Sequence, residues 1–372
     1  MSNTVCVESW SCNPDDYSLI ERIGRGAFSS VWSAKLNNDN NDNNSKSYDK
    51  RVAIKVMDLE SVSANFEDIL QEVRVMRLSD DPNILRCHCC FVQQYQLWLV
   101  TQLMDKGSCL RVLGLTNSIG LGNGMTEECF SYILRETLQG LAYLHNNGHI
   151  HRDIKSGNIL LDSDGRVRLA DFGVSGWTVA RGQRQDTVTT FVGTPCYMAP
   201  EVMEQAKGYD NKADIWSLGI TALEMAKGSA PYAKFPPMRV LILTIEGNII
   251  ITYTEILLIL LIGEPPSLNS YDDKKQCNGL PFSSAFEDFY SKCLQKNPSK
   301  RPSAEELLKS KFFKNRSKDA LVRDVLSKIK CVGKTDEQDS TEGRNPGAEY
   351  IKIGMLYNIS NSYYLYFHYY CY

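Results

Sequence analysis

Asp153, Lys155 and Asn158 in "HRDIKSGN" and Asp171 in "DFG" put two carboxylates, an amide and an ammonium in one short stretch of the sequence. A carboxylate held in place can accept a proton from a hydroxyl, with geometry doing most of the work. Asn158 and Asp171 offer the hard oxygens that Mg²⁺ takes while it keeps its bonds to phosphate oxygens. Upstream, Lys55 in "VAIK" supplies a second cation, and "IGRGAFSSV" places Gly24 and Gly26 where a backbone must approach something closely. Carboxylates, an amide, two cations and a close-approach loop suit a reaction that depends on positioning and charge neutralisation more than on covalent chemistry. The glycine loop alone decides nothing. A dinucleotide site would need a third glycine opening a helix and an acidic residue further on, whereas here Ser29 takes the third place and another strand follows.

The elements that must hold these groups follow from hydrophobic period. "YSLIERIGRGAFSSVWSAKL" reads as two strands around a glycine turn, and "VAIKVMDL" and "QLWLVTQL" as further strands. In "SANFEDILQEVRVMRL", Phe66, Ile69, Leu70, Val73 and Met76 recur at steps of three and four, one face of a helix, with Asn65 as a weak N-cap. Phe130, Ile133, Leu134, Leu138, Leu141 and Leu144 form a second helical stripe, ended by Asn147 and Gly148. Strands and one helix come first and helices dominate afterwards. That order predicts an α+β chain with a small sheet-rich lobe and a larger helical one, joined near Met104 to Ser108.

"VAIK", "HRDIKSGN", "DFG" and "APE", the last ending at Glu201, stand in the order and context of the eukaryotic protein kinases, which the sequence resembles from about Tyr17 to Phe313. The resemblance implies a bilobal kinase fold: N-lobe 17–104, C-lobe 105–313, an N-terminal extension 1–16 and a poorly ordered tail 314–372. It also implies ATP and Mg²⁺ as cofactors. The loop Ile23, Gly24, Arg25, Gly26, Ala27, Phe28, Ser29, Ser30 and Val31 is expected to cover the phosphates. Lys55 is expected on the α and β phosphates, held by Glu72. Val31, Ala53 and Leu160 are expected to sandwich adenine, Gln102 and Met104 to bond it through their backbone, and Thr101 to stand as gatekeeper. Asn158 and Asp171 are the expected metal ligands and Asp153 the base, while Lys155 matches the serine/threonine class. Asp214 resembles the helix aspartate that anchors the catalytic loop, and Arg301 the partner of Glu201, both structural.

"TFVGTPCYMAPEVMEQAKGYDNKADIWSLGITALEMAKGSAPYAKFPPMRVLILTI", with "GHIHRD" and "GNILL", resembles the sterile-20-like kinases, in their germinal-centre branch containing Fray and the oxidative-stress-responsive kinase. The resemblance implies roles in stress or signalling cascades, with protein substrates and an upstream activating kinase as partners. Thr190, before "FVGT", falls at the activating phosphosite, where a phosphate could pair with Arg152 and order the segment between Asp171 and Glu201. Thr194 is expected to shape the peptide wall beside Asp153. Nothing after Phe313 resembles the docking domain that metazoan Fray-type kinases carry.

Composition agrees with a folded chain: 372 residues, 43% hydrophobic, with a net charge of −3 that favours no nucleic-acid partner. The twelve scattered cysteines read as reduced thiols, and the "RCHCC" cluster, lacking a second pair at finger spacing, reads as ordinary packing. The first residues show no export or lipidation signal, so a cytoplasmic location is expected. Two stretches break the pattern besides the tail. "NNDNNDNNSKSYDK" is a low-complexity insert over 37–50. The apolar insert 248–263 resembles part of a membrane helix. If helical, Ile249 to Ile262 reach roughly 21 Å, short of a hydrocarbon core of about 30 Å, so no span is expected. A surface hydrophobic helix and a translated non-coding sequence both remain as readings. The Ile, Asn and Tyr shared with the aromatic C-terminal tail favour the second. A catalytically dead scaffold and membrane attachment through that tail are the rival functions. The intact set of Lys55, Glu72, Asp153, Asn158 and Asp171 speaks against the first, and the tail's shortness and mixed polarity against the second.

Overall fold

A computed structural model of the chain describes residues 10–26, 29–37, 51–60, 66–171, 195–204, 210–233, 265–271, 276 and 278–332. Contacts divide these into two units, one holding the residues before 64 with Arg86–Leu103 and the short stretch after Lys330, the other Ala64–Leu85 and Met104–Lys330.

Period-two stretches in the first unit become β1 (Tyr17–Arg25), β2 (Ser29–Leu36), β3 (Arg51–Asp58), β4 (Cys87–Gln93) and β5 (Gln96–Gln102). They form one antiparallel sheet in the order β1-β2-β3-β5-β4. Because side chains alternate along a strand, one face collects Ala34, Leu36, Val52, Ile54, Val56, Trp98 and Val100 into an apolar cluster with Tyr17 and Cys89. The segment before β1 closes that face. Trp10 stacks on His88 with ring centroids 3.9 Å apart, and the Tyr17 hydroxyl donates to the Ser11 carbonyl at 2.6 Å. Cys87, Cys89 and Cys90 of the "RCHCC" cluster are buried within β4.

The second unit is mainly helical. It contains α1 (Phe66–Leu78), α2 (Cys109–Leu115), α3 (Glu127–Asn146), α4 (Pro200–Glu204), α5 (Lys212–Lys227) and α6 (Ser284–Cys293). Ile69, Val73 and Met76 of the predicted α1 stripe are buried. All six residues of the α3 stripe are buried, and the helix ends at Asn147, with Gly148 at φ +75°. α5 is buried along nearly its whole length and packs close to α6. A Cβ on Gly219 would lie 2.8 Å from the Cβ of Cys293, so glycine permits this approach. Phe130 of α3 meets Phe286 of α6 edge-on at 5.0 Å, and Phe289 stacks on Phe312 at 5.0 Å, which ties Phe312 to the core. A small sheet of β6 (Gly107–Ser108), β7 (Ile159–Leu161) and β8 (Val167–Leu169) lies in this unit, and Leu169 bridges to Ile84.

The structure differs from the expected tail. Residues 316–330 are not a polar, unpacked extension: helical turns from Lys318 to Lys328 bury Ala320, Leu321, Val325 and Leu326, followed by buried Ile329. The apolar residues there are too few for a clear period over so short a run, which hides them among the charges. Residues 38–50, the apolar insert 248–263, Asn65 and the chain beyond 332 lie outside the described residues. No helix among the described residues is long and apolar enough to cross a membrane.

Candidate active site

In the first unit, strand register gathers the predicted nucleotide residues. Val31 pairs with Lys55, which pairs with Leu99; Ser33 pairs with Ala53, which pairs with Thr101. Paired residues and those two apart share a face, so Val31, Ala53, Lys55 and Thr101 lie opposite the apolar cluster. The Thr101 hydroxyl is buried and donates to the Ala53 carbonyl at 3.4 Å. Ile23 and Arg25 flank Gly24 on β1, and Ser29 and Ser30 open β2. A side chain at either glycine would crowd β2. A Cβ on Gly24 would press on Val31 at 3.3 Å, and one on Gly26 would lie 2.8 Å from the Ser29 hydroxyl, while the Gly26 amide donates to the Ser29 carbonyl at 2.8 Å. Gln102 ends β5. Ala27 and Phe28 lie outside the described residues.

In the second unit, a loop after α3 carries the polar groups. Asn158 donates from its amide nitrogen to both the backbone carbonyl and Oδ2 of Asp153, each at 2.8 Å, and the Lys155 ammonium donates to the same Oδ2 at 2.7 Å. Two donors thereby fix one carboxylate oxygen in place. The Ala170 amide donates to the Asn158 carbonyl at 2.9 Å, which carries the turn into Asp171, itself at φ +67°. A side-chain amide that spends its nitrogen on Asp153 turns its oxygen elsewhere, and Asp171 adds an exposed carboxylate. Amide and carboxylate oxygens of this type suit Mg²⁺. Leu160 lies in the middle of β7, opposite Ser108, and the Gly107 amide donates to the Met104 carbonyl at 2.9 Å. Glu72 falls on α1, with its side chain outside the described groups.

Beneath this loop lies Asp214 of α5, fully buried. It accepts from the amides of His151 (2.9 Å) and Arg152 (2.8 Å) and from Nε2 of His145 (2.9 Å). Burial pushes its carboxyl up, yet the donation and charge of His145 and the contribution of His151 outweigh this and hold it below the usual carboxylate range. Arg152 is thereby kept at φ +69°, a conformation that costs a residue with a Cβ about 1–3 kcal/mol. Burial lowers the affinity of His151 for a proton.

Sequence reasoning missed His145 and a second buried acid. Glu224 of α5 accepts from the Tyr197 hydroxyl at 2.7 Å and from the Ser156 amide at 3.3 Å, and burial raises its carboxyl despite these donors. The signal was available: an acid within the apolar run "ITALEMA" must find partners when that helix is buried. Arg301 and Glu201 do meet. The guanidinium lays Nη1 on Oε1 at 2.5 Å and Nη2 on Oε2 at 2.8 Å, over the Trp216 ring at 5.1 Å. Thr190 and Thr194 lie outside the described residues.

With this geometry in view, comparison with known proteins places the chain in the protein kinase family: the protein kinase domain matches residues 17–313. Its relatives are serine/threonine kinases of the sterile-20-like group. The chain is 41% identical over 334 residues to germinal center kinase 3 of Caenorhabditis elegans, covering 87% of this chain and 52% of that protein. It is 40% identical over 321 residues to the serine/threonine-protein kinase fray2 of Dictyostelium discoideum, covering 86% and 28%. Against ppk11 of Schizosaccharomyces pombe it is 39% identical over 311 residues, covering 84% and 86%. The chain thus spans about half the length, or less, of the first two.

Proposed function

We propose that this chain transfers the γ-phosphate of ATP to serine or threonine hydroxyls of protein substrates, with Mg²⁺. The observation that carries the reading is the Asp153 carboxylate, held by Lys155 at 2.7 Å and by Asn158 at 2.8 Å on a loop anchored to Asp214. Asp153 orients the substrate hydroxyl and takes its proton late in transfer. Lys155 offsets charge developing on the phosphoryl group. Asn158 and Asp171 hold the metal, which supplies charge neutralisation at the phosphate oxygens. Lys55 contacts the α and β phosphates under the loop from Ile23 to Val31. By the family resemblance, Val31, Ala53 and the Gln102 backbone in the first unit, and Leu160 and the Met104 backbone in the second, are each read as adenine contacts.

Transfer of labelled phosphate from ATP to a generic basic protein, compared between wild type and Asp153→Asn, tests this. Loss of about 10²-fold or more in the variant is expected, and equal transfer would overturn the mechanism.

Phosphorylation of Thr190 by an upstream kinase is the proposed switch, through charge pairing with Arg152, whose backbone is already fixed by Asp214. Thr190→Ala that remains as active as wild type after treatment with an activating kinase would refute it. A cytoplasmic signalling role is part of the same reading, supported by the family resemblance, and fractionation of cells expressing the tagged chain checks the location.

A further inference from the structure

The family match ends at residue 313, yet the packed chain continues. The Ser317 amide donates to the Glu128 carbonyl of α3 at 3.1 Å, and the Ser317 hydroxyl caps the turn that follows by accepting from the Ala320 amide at 3.0 Å. Leu321 and Leu326 are wholly buried. Val322 lies so close to Gly165 that a Cβ there would be 2.9 Å from its methyl carbon.

The run ends on the segment that leaves β5. Lys106 is buried, with 5% of its surface exposed, and its ammonium donates to the Ile329 carbonyl at 2.6 Å. Among the described residues no carboxylate pairs with it. Arg111 donates from Nη1 to the Lys106 carbonyl at 3.0 Å and from Nη2 to the Lys330 carbonyl at 3.1 Å. The Lys106 amide donates to the Leu161 carbonyl at 3.0 Å, so the same residue is fastened to β7, beside Leu160. Met104 and Lys106 belong to one turn, closed by the Gly107 amide on the Met104 carbonyl, with Gly107 at φ +74°. A buried ammonium needs acceptors, and here the acceptor comes from the C-terminal run.

We propose that residues 317–330 form a strap that holds the turn Met104–Ser108 and strand β7 in their nucleotide-binding conformation through Lys106 and Arg111, which are positioning residues. This rests on the reading of Met104 and Leu160 as adenine contacts. The strap belongs to the catalytic unit, although it lies beyond the matched domain. It does not touch the reacting atoms.

Three full-length variants test the link: Leu326→Asp, which undocks the strap, Lys106→Met with Arg111→Met, which cuts its attachment, and all three changes together. Binding of a fluorescent ATP analogue, KM for ATP, kcat and thermal unfolding are measured for each. Each of the first two is expected to weaken nucleotide binding by about ten-fold, the scale of one buried donor deprived of its acceptor, with KM rising more than kcat falls. The triple variant is expected to bind no more weakly than Leu326→Asp. If Leu326→Asp does not fold, the Lys106→Met and Arg111→Met variant decides by itself. Unchanged nucleotide affinity with a lowered melting temperature would overturn the proposal, because a merely structural strap behaves that way. Additive losses in the triple variant would also overturn it. A folded wild type that binds no ATP would sink the functional reading instead, and is distinguishable because the chain is unaltered.

Discussion

Asp214 and His145 meet across α5 and α3 at 2.9 Å, and the same carboxylate holds the amides of His151 and Arg152. The loop that carries Asp153 therefore takes its shape from a buried acid on a helix far along the chain. An asparagine there has nearly the same outline but turns an N–H₂ toward a donor. Asp214→Asn is expected to cost about 3 kcal/mol, read as a fall in denaturant unfolding free energy, with phosphate transfer falling as well. Wild-type stability in that variant would remove the anchor role.

The depressed Asp214 carboxyl also sets a pH dependence. A carboxyl whose folded value is lowered contributes stability that is fully present above its unfolded value, and that is lost as the pH falls through the folded value. The stability difference between wild type and Asp214→Asn should therefore hold steady above the ordinary value of 3.8 and shrink below it. A difference that instead changes at higher pH, with none of this fall below 3.8, would remove Asp214 as its source.

Arg301 satisfies every arm of its guanidinium. Besides Glu201 it reaches the carbonyls of Gln295 at 2.7 Å, Lys212 at 2.9 Å and Lys296 at 3.2 Å. Lysine cannot reproduce this planar fork, so Arg301→Lys should destabilise by about 3 kcal/mol, despite keeping the charge. Thermal unfolding of the purified variant checks this, and an unchanged melting temperature would show that charge alone suffices.

Thr101 is buried and pairs with Ala53 across the strands. Filling such a site costs about 1–3 kcal/mol, so Thr101→Met should weaken inhibitors bearing a bulky group behind adenine by about ten-fold or more. Unaltered affinity for those inhibitors, measured against a compact adenine analogue, would count against the gatekeeper placement.

Much of this was readable in advance for a physical reason. Strand alternation and helical stripes record which side chains face the core, so Ile69, Val73 and Met76 on α1 and Leu138 and Leu141 on α3 were legible as buried before any coordinates. Motif spacing likewise marked Asp153, Lys155 and Asn158, because residues so near in the chain meet within one loop. Glu224 was not legible in that way. Its partners, Tyr197 and the Ser156 amide, come from separate segments, and nothing local to "ITALEMA" names them.

The amino-acid sequence by itself determined the family, through its motifs, and the order of strands and helices, through local period, and it marked the candidate residues for phosphoryl chemistry within a few positions of one another. Tertiary structure alone decided which distant groups hold them. Asp214 beneath Arg152, Arg301 on Glu201 and the Ile329 carbonyl on Lys106 are pairings of buried charge with remote partners. The cost of leaving a buried charge or donor unpaired fixes such pairings, and that cost arises only once the chain has closed around it.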